Sequence, residues 1–211
     1  SPVASAGCIA IGMTNSAFRY VGPLFAEVQN FSLSQVATFI SLGVVGGAAL
    51  QYPLGILSDR YDRRWVLIWT TVGAVAASLF ISFIAGNDVW LIYAGVFMFG
   101  AFSIPLYSLA AAHANERANA DQYVLVAAGL MFFYGIGASF GPPVSALMGE
   151  LYGPSALFLF ISATHGSLAL IALYRMRVRA GVGAEGRSKF KWLMRTSPVA
   201  QRMIQGKRKP K

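Results

Sequence analysis

The 211 residues are 56% hydrophobic and 12% charged, with a mean hydropathy of +0.57, outside the usual range for a chain whose surface faces water. A formal net charge of +9 invites a nucleic-acid reading, but twelve of the seventeen Lys and Arg fall between Arg175 and Lys211, so the charge belongs to a tail and nucleic acid is not an expected partner. A single cysteine, Cys8, excludes an intrachain disulfide and a multi-cysteine metal site.

A bilayer core about 30 Å thick needs roughly 20 apolar residues at 1.5 Å rise each. Six segments meet that length, at 3–28, 34–57, 64–85, 89–112, 122–148 and 155–174. The chain starts at Ser1 and enters the first segment almost at once, without a basic n-region or a signal cleavage site, so its N-terminus is expected to be a cut edge. Along that segment Cys8, Gly12, Asn15 and Arg19 follow i, i+4, i+7, i+11 and share one helical face. An arginine inside an apolar span is costly; it faces a cavity or partner, or else snorkels to the headgroups.

The second segment carries Gly43 and Gly47, a spacing that lets helix backbones approach closely in lipid. It runs into Gly55-Ile-Leu-Ser-Asp59-Arg60-Tyr-Asp62-Arg63-Arg64. Asp59 there meets the negative pole of its own helix, a penalty of roughly 0.3 to 1 kcal/mol. It needs compensation, from Arg63 four residues on or from a neighbouring helix N-terminus, and either would latch two helix ends together.

The fourth segment contains Ser103, Pro105, Tyr107 and His113, the fifth Gly135-Ile-Gly137-Ala-Ser-Phe-Gly141-Pro142-Pro143, and the sixth His165. The glycines of the fifth repeat the small-residue spacing, and the tandem prolines are expected to bend that helix. Neither histidine has a second ligand at helical spacing, so no metal site is expected, and His165 reads as a hydrogen-bonded structural residue with a proton-coupling role as the alternative. No phosphate loop, nucleophile elbow, paired carboxylates or ligand cluster is present, which disfavours an enzyme and implies no cofactor.

Of the seventeen Lys and Arg, all but Arg19 fall in the second loop, the fourth loop or the tail. These sides are therefore expected to be cytoplasmic. Trp65 and Tyr174 at the inner boundary, with Trp90 and Tyr152 at the outer one, fit an aromatic belt. The expected organisation is an all-α, six-helix transmembrane domain over 1–175 and a basic cytoplasmic tail over 176–211. That tail mixes Arg187, Lys189, Lys191 and Arg195 with Phe190 and Trp192, a composition suited to an anionic leaflet.

The string from Gly55 to Arg64 resembles the loop signature G-x-L-x-D-R-x-G-R-R/K of the major facilitator superfamily (MFS), matching at Gly55, Leu57, Asp59, Arg60, Arg63 and Arg64. It departs at Asp62, where glycine is usual. That departure resembles the second copy of the signature, between helices eight and nine of a twelve-helix transporter. Pro105-Leu106-Tyr107-Ser108-Leu109-Ala110 with Ala112-His113-Ala114-Asn115-Glu116 resembles the corresponding segment of the YcaD-type group.

The resemblance implies the C-terminal six-helix half of a secondary transporter in the plasma (inner) membrane. Its partners would be a small-molecule substrate, coupled protons, membrane lipid and an N-terminal half. It further implies a cytoplasmic gate at Gly55, Asp59, Arg60, Arg63 and Arg64, and a substrate path past Asn15, Arg19, Ser103 and Tyr107. A seam between halves would lie at Gly43, Gly47, Gly137, Gly141 and Pro142, for which packing inside the bundle is the alternative. Two other readings stay open: a homodimeric six-helix transporter, and a non-transporting adaptor with a basic tail.

Overall fold

The computed structural model describes residues 2–86, 88–115, 118 and 122–178, and every regular element among them is helical. The elements are α1 (Pro2–Val28), α2 (Leu33–Arg60), α3 (Arg63–Phe83), α4 (Val89–Ser103), α5 (Pro105–Asn115), α6 (Tyr123–Tyr152) and α7 (Ala156–Val178). The tail after residue 178, with Glu116 and Arg117, lies outside the described residues.

Seven helices make six rods, because α4 and α5 continue one another across Val89–Asn115. The segment expected at 89–112 as one uninterrupted helix is instead divided at Ile104. Pro105 has no N–H to return to the preceding turn, so it begins a new helix where that loss costs nothing. The tandem prolines do not break their helix: Pro142 and Pro143 stand inside α6.

Five rods are long and apolar enough to cross a bilayer: α2, α3, α4 with α5, α6 and α7. The sixth, α1, is 27 residues long, but Thr14, Asn15, Ser16, Arg19 and Glu27 make it more polar. The expectation of six similar spans thus holds for length and less well for hydropathy.

Helix ends are set by local chemistry. Ser32 and Gln35 form a reciprocal capping box at the start of α2, and Asp88 accepts from Trp90 N and Leu91 N at the start of α4, each satisfying donors that a helix N-terminus leaves open.

Packing places α1 against α6 and α7, α2 against α4, and α3 against α7 and α4. The interior has two apolar layers. One is aromatic, joining Phe18, Phe25, Phe39, Phe99 and Phe158 with Ile81 and Ile92. The other, nearer the Asp59 end, joins Cys8, Ile11, Leu67, Leu106, Leu109 and Ala172. Between them by position along the helices lies a polar waist of Thr14, Asn15, Ser16, Thr71, Ser103 and His165, all buried except the half-buried Asn15. Most hydroxyls here return a hydrogen bond to their own helix, as Thr14 does to Ala10 O and Thr71 to Leu67 O. A polar layer between two apolar ones in a membrane bundle is where function concentrates.

Candidate functional site

A cavity of about 500 Å³ opens on one side of the bundle beside this waist. Its wall comes from α1, α2, α4, α5 and α6, and its polar groups are Asn15, Arg19, Gln51, Tyr107, Ser108 and Tyr134. α3 and α7 contribute no lining residue. Of the expected path residues, Asn15, Arg19 and Tyr107 therefore meet at one cavity.

Ser103 does not reach that wall. It is fully buried and stands behind Asn15, with its Oγ 3.4 Å from Asn15 Oδ1 and 3.3 Å from His165 Nε2. The i, i+4 spacing places it on one face with Tyr107, but Asn15 stands between Ser103 and the cavity. The polar stripe on α1 is likewise divided. Cys8 is buried, and a Cβ at Gly12 would collide with Tyr134 O of α6, so α6 covers the lower stripe and only Asn15 and Arg19 emerge.

Arg19 is exposed. It makes no hydrogen bond or ion pair among the described residues, which leaves its five donors available to an anionic group. Its side chain lines the cavity.

Three polar lining residues, Gln51, Ser108 and Tyr134, were not among the expected path residues. Gln51 donates from Nε2 to Ser108 Oγ at 3.4 Å, and Tyr134 stands edge-on to Tyr107 with ring centroids 5.8 Å apart. The signal for Gln51 was present: Gly43, Gly47 and Gln51 run i, i+4, i+8 down one face of α2. Tyr134 offered no such mark, being one aromatic among many in α6.

The glycines of the expected seam make the contacts that the packing alternative called for. A Cβ at Gly137 would strike Ile9 O, and one at Gly141 would strike Met13 O, both on α1; one at Gly47 would strike Ile104, and one at Gly43 the Phe18 ring. These four glycines serve contact within the bundle, with α2 on α4 and α1 on α6. Pro142 is half-buried beside them, its carbonyl accepting from Ser145 Oγ at 3.1 Å. Backbone approach is what removes the side chain at these sites. The opposite faces of the same helices carry the exposed apolar groups: Val44, Val45, Tyr52 and Ile56 on α2, and Met131, Phe132, Phe140, Val144 and Leu147 on α6.

At the Asp59 end, Arg63 is buried and bridges three helices. Its Nη2 lies 2.8 Å from Asp59 Oδ1, and its Nη1 donates to Ala112 O at 3.0 Å. Ala112 is in the last turn of α5, where carbonyls have no helical donor. One guanidinium thus offsets the carboxylate at the end of α2 and closes the end of α5, the compensation that Asp59 required. Gly55 is buried and Arg60 exposed.

The departure at Asp62 has a local reason. Asp62 caps α3 by accepting from Arg64 N at 3.0 Å and pairs with Arg64 Nη2 at 3.2 Å. Glycine could do neither.

Comparison with known proteins bears on this geometry. The family profile of the Major Facilitator Superfamily matches residues 4–208. An uncharacterized MFS-type transporter of Yersinia enterocolitica is 30% identical over 156 residues, 74% of this chain and 40% of its own length. A second, of Enterobacter sp. (strain 638), is 30% identical over 178 residues, 83% of this chain and 44% of its own. The uncharacterized MFS-type transporter YcaD of Escherichia fergusonii is 27% identical over 175 residues, 81% of this chain and 44% of its own. The chain spans about two-fifths of the length of these curated relatives.

Proposed function

Because the chain belongs to the major facilitator superfamily, we propose that it supplies the C-terminal six-helix half of a secondary transporter that carries a small solute by alternating access. It is an integral, multi-pass membrane protein. In this reading the cavity between α1, α2, α5 and α6 is half of the substrate path, and an N-terminal half provides the facing wall. Secondary transporters place their substrate near mid-membrane, between two such repeats.

The observation that carries the reading is the coincidence of two features on one side of the bundle. The cavity with Asn15, Arg19, Gln51 and Tyr107 opens there, and α2 and α6, which border it, are the least buried of the five apolar rods. A cavity that exposes an arginine flanked by two open apolar faces suits a movable partner. Asp59 and Arg63 would then form part of the cytoplasmic gate, with Arg60 and Arg64 holding that side inward and protons as the coupling ion. The same orientation puts the basic tail in the cytoplasm and the protein in the inner membrane.

The test is uptake by the membrane-embedded protein across a panel of small solutes, comparing the unmodified protein with Asp59→Ala and the gentler Asp59→Asn. Loss of uptake in both, at unchanged membrane abundance, is expected; undiminished uptake removes Asp59 from the mechanism.

The exposed faces of α2 and α6 would also suit a second copy of the chain. Cysteines placed at Tyr52 and Val144 in a Cys8→Ser background distinguish the two: crosslinking between copies supports a homodimer, and its absence favours a distinct N-terminal half.

A further inference from the structure

Behind the cavity wall, three side chains from three helices form a hydrogen-bonded chain: Asn15 of α1, Ser103 of α4 and His165 of α7. Ser103 Oγ is 3.4 Å from Asn15 Oδ1 and 3.3 Å from His165 Nε2. The other ring nitrogen, Nδ1, is 3.0 Å from Ile161 O. A carbonyl can only accept, so Nδ1 carries a proton in every state of the ring.

The donor count of this chain then has two solutions. With a neutral ring, Nε2 must accept, the Ser103 hydroxyl donates to it, and Ser103 Oγ can accept only if Asn15 turns its amide N–H toward it. The Asn15 carbonyl then faces the cavity. With one more proton, Nε2–H donates to Ser103 Oγ and the hydroxyl donates onward to Asn15 Oδ1. The Asn15 amide N–H₂ then faces the cavity. Each solution satisfies every member, and exactly one proton separates them.

We propose that His165 is a proton-binding site read out in the cavity through Ser103 and Asn15, so that the cavity takes a solute bearing an oxyanion, a carboxylate or phosphate group, together with one proton. This rests on the transport reading above and names the substrate class for its cavity. Protonation turns the Asn15 amide donors toward the space that Arg19 also lines, one helical turn away. Together they offer an oxyanion a guanidinium and an amide. The proton is delivered by hydronium in the cavity: its O–H bond breaks, leaving water, as the Nε2–H bond forms, and no other covalent bond changes. Arg19 without an anion opposes the imidazolium by charge repulsion, and a bound anion relieves that repulsion, so each ligand favours the other.

No other charged group competes for this role at the waist. On the helices packed against α7, α3 carries Arg63 and Arg64 in its first turn, α6 carries Glu150 in its last, and α1 carries Glu27 in its last. α4 has none, and α7 itself carries Arg175 and Arg177 at its end. Of the neutral titratable groups on those helices, Cys8 is buried in the apolar layer nearer the Asp59 end. Tyr93 donates to Gln35 O, and Tyr134 lines the cavity. The His165 ring makes a T-shaped contact with Phe99, at 6.3 Å between centroids.

The test is the titration midpoint of the His165 imidazole, followed by nitrogen NMR of the full chain in lipid nanodiscs, with the signal identified by its loss in His165→Gln. Arg19 is exposed and can be replaced without disturbing the fold. Arg19→Gln should raise the imidazolium-to-imidazole ratio at a fixed pH by about threefold to tenfold, and Arg19→Glu, a built-in stand-in for the anion, by a further step of similar size. Ser103→Ala should lower the ratio by about threefold or more, because the imidazolium loses its acceptor.

An unordered series, a Ser103→Ala variant with an unmoved midpoint, or a ring that titrates in none of these proteins overturns the proposal. Transport enters nowhere in this measurement. A failed uptake assay therefore leaves the proton site standing, and a failed titration leaves alternating access standing.

Discussion

The three-helix junction at Arg63 makes a coupled prediction for its two charged groups. The guanidinium is almost wholly enclosed, with 1% side-chain exposure, whereas the Asp59 carboxylate is 31% exposed. Removing Asp59 leaves a cation enclosed without its carboxylate, the expensive way to break such a pair, at about 3 to 5 kcal/mol when both groups are fully buried. Partial exposure of Asp59 reduces that to about 2 to 3 kcal/mol, since water screens part of the attraction.

Removing Arg63 leaves a carboxylate that water can reach. It also strips Ala112 O of a donor, at roughly 1 to 3 kcal/mol, and exposes Asp59 to the end of the α2 dipole, at about 0.3 to 1 kcal/mol. The two single losses are similar in size and different in origin. Asp59→Ala combined with Arg63→Leu should therefore cost less than their sum by about 1 to 2 kcal/mol. The assay is reversible denaturant unfolding in detergent micelles, read by far-ultraviolet circular dichroism, for the parent, both singles and the double. Strict additivity would refute the argument, because it would mean that neither group senses the loss of the other.

Two further predictions concern packing. Gly137→Leu should abolish the close approach of α6 to α1 and reduce folded yield, because a side chain there meets the backbone of Ile9, whereas Gly166→Ala, with nothing within 4 Å of the added Cβ, should be tolerated or stabilise α7 by about 0.5 to 1 kcal/mol; size-exclusion profiles and unfolding midpoints of the two variants check this pair. Cys8 is buried in an apolar layer, so a maleimide should label it readily only after the protein is unfolded in SDS; rapid labelling of the folded protein in detergent would show that the layer around Ile11 and Leu106 opens.

The fold class was legible because lipid imposes long apolar helices, and the breaks between them carry caps and turns that mark themselves. Ser32 with Gln35 and Asp88 act as caps in the structure. Asp59 could be identified as needing a partner from its place at a helix end, and Arg63 is that partner. What helical periodicity could not supply was which face meets which neighbour. The stripe from Cys8 to Arg19 is continuous on α1, yet α6 covers half of it. The glycines of α2 and α6 could face a partner across the open side or a helix in the same bundle, and sequence spacing is identical for both. Only the positions of Phe18, Ile104, Ile9 and Met13 decide it.

Ser103 illustrates how a neighbouring helix reassigns a residue's role. Helical spacing sets Ser103 and Tyr107 on one face, both toward the cavity. Both halves of the rod line that cavity, with Phe99, Gly100, Ile104, Tyr107 and Ser108, but Asn15 of α1 covers Ser103. Ser103 is left facing inward, where a hydroxyl needs partners because no water reaches it. Asn15 and His165 supply them from two other helices. Left uncovered by Asn15, the same residue would be one more polar spot on the cavity wall. Covered, it joins the cavity to a buried imidazole that the apolar packing of α3 and α7 would otherwise isolate.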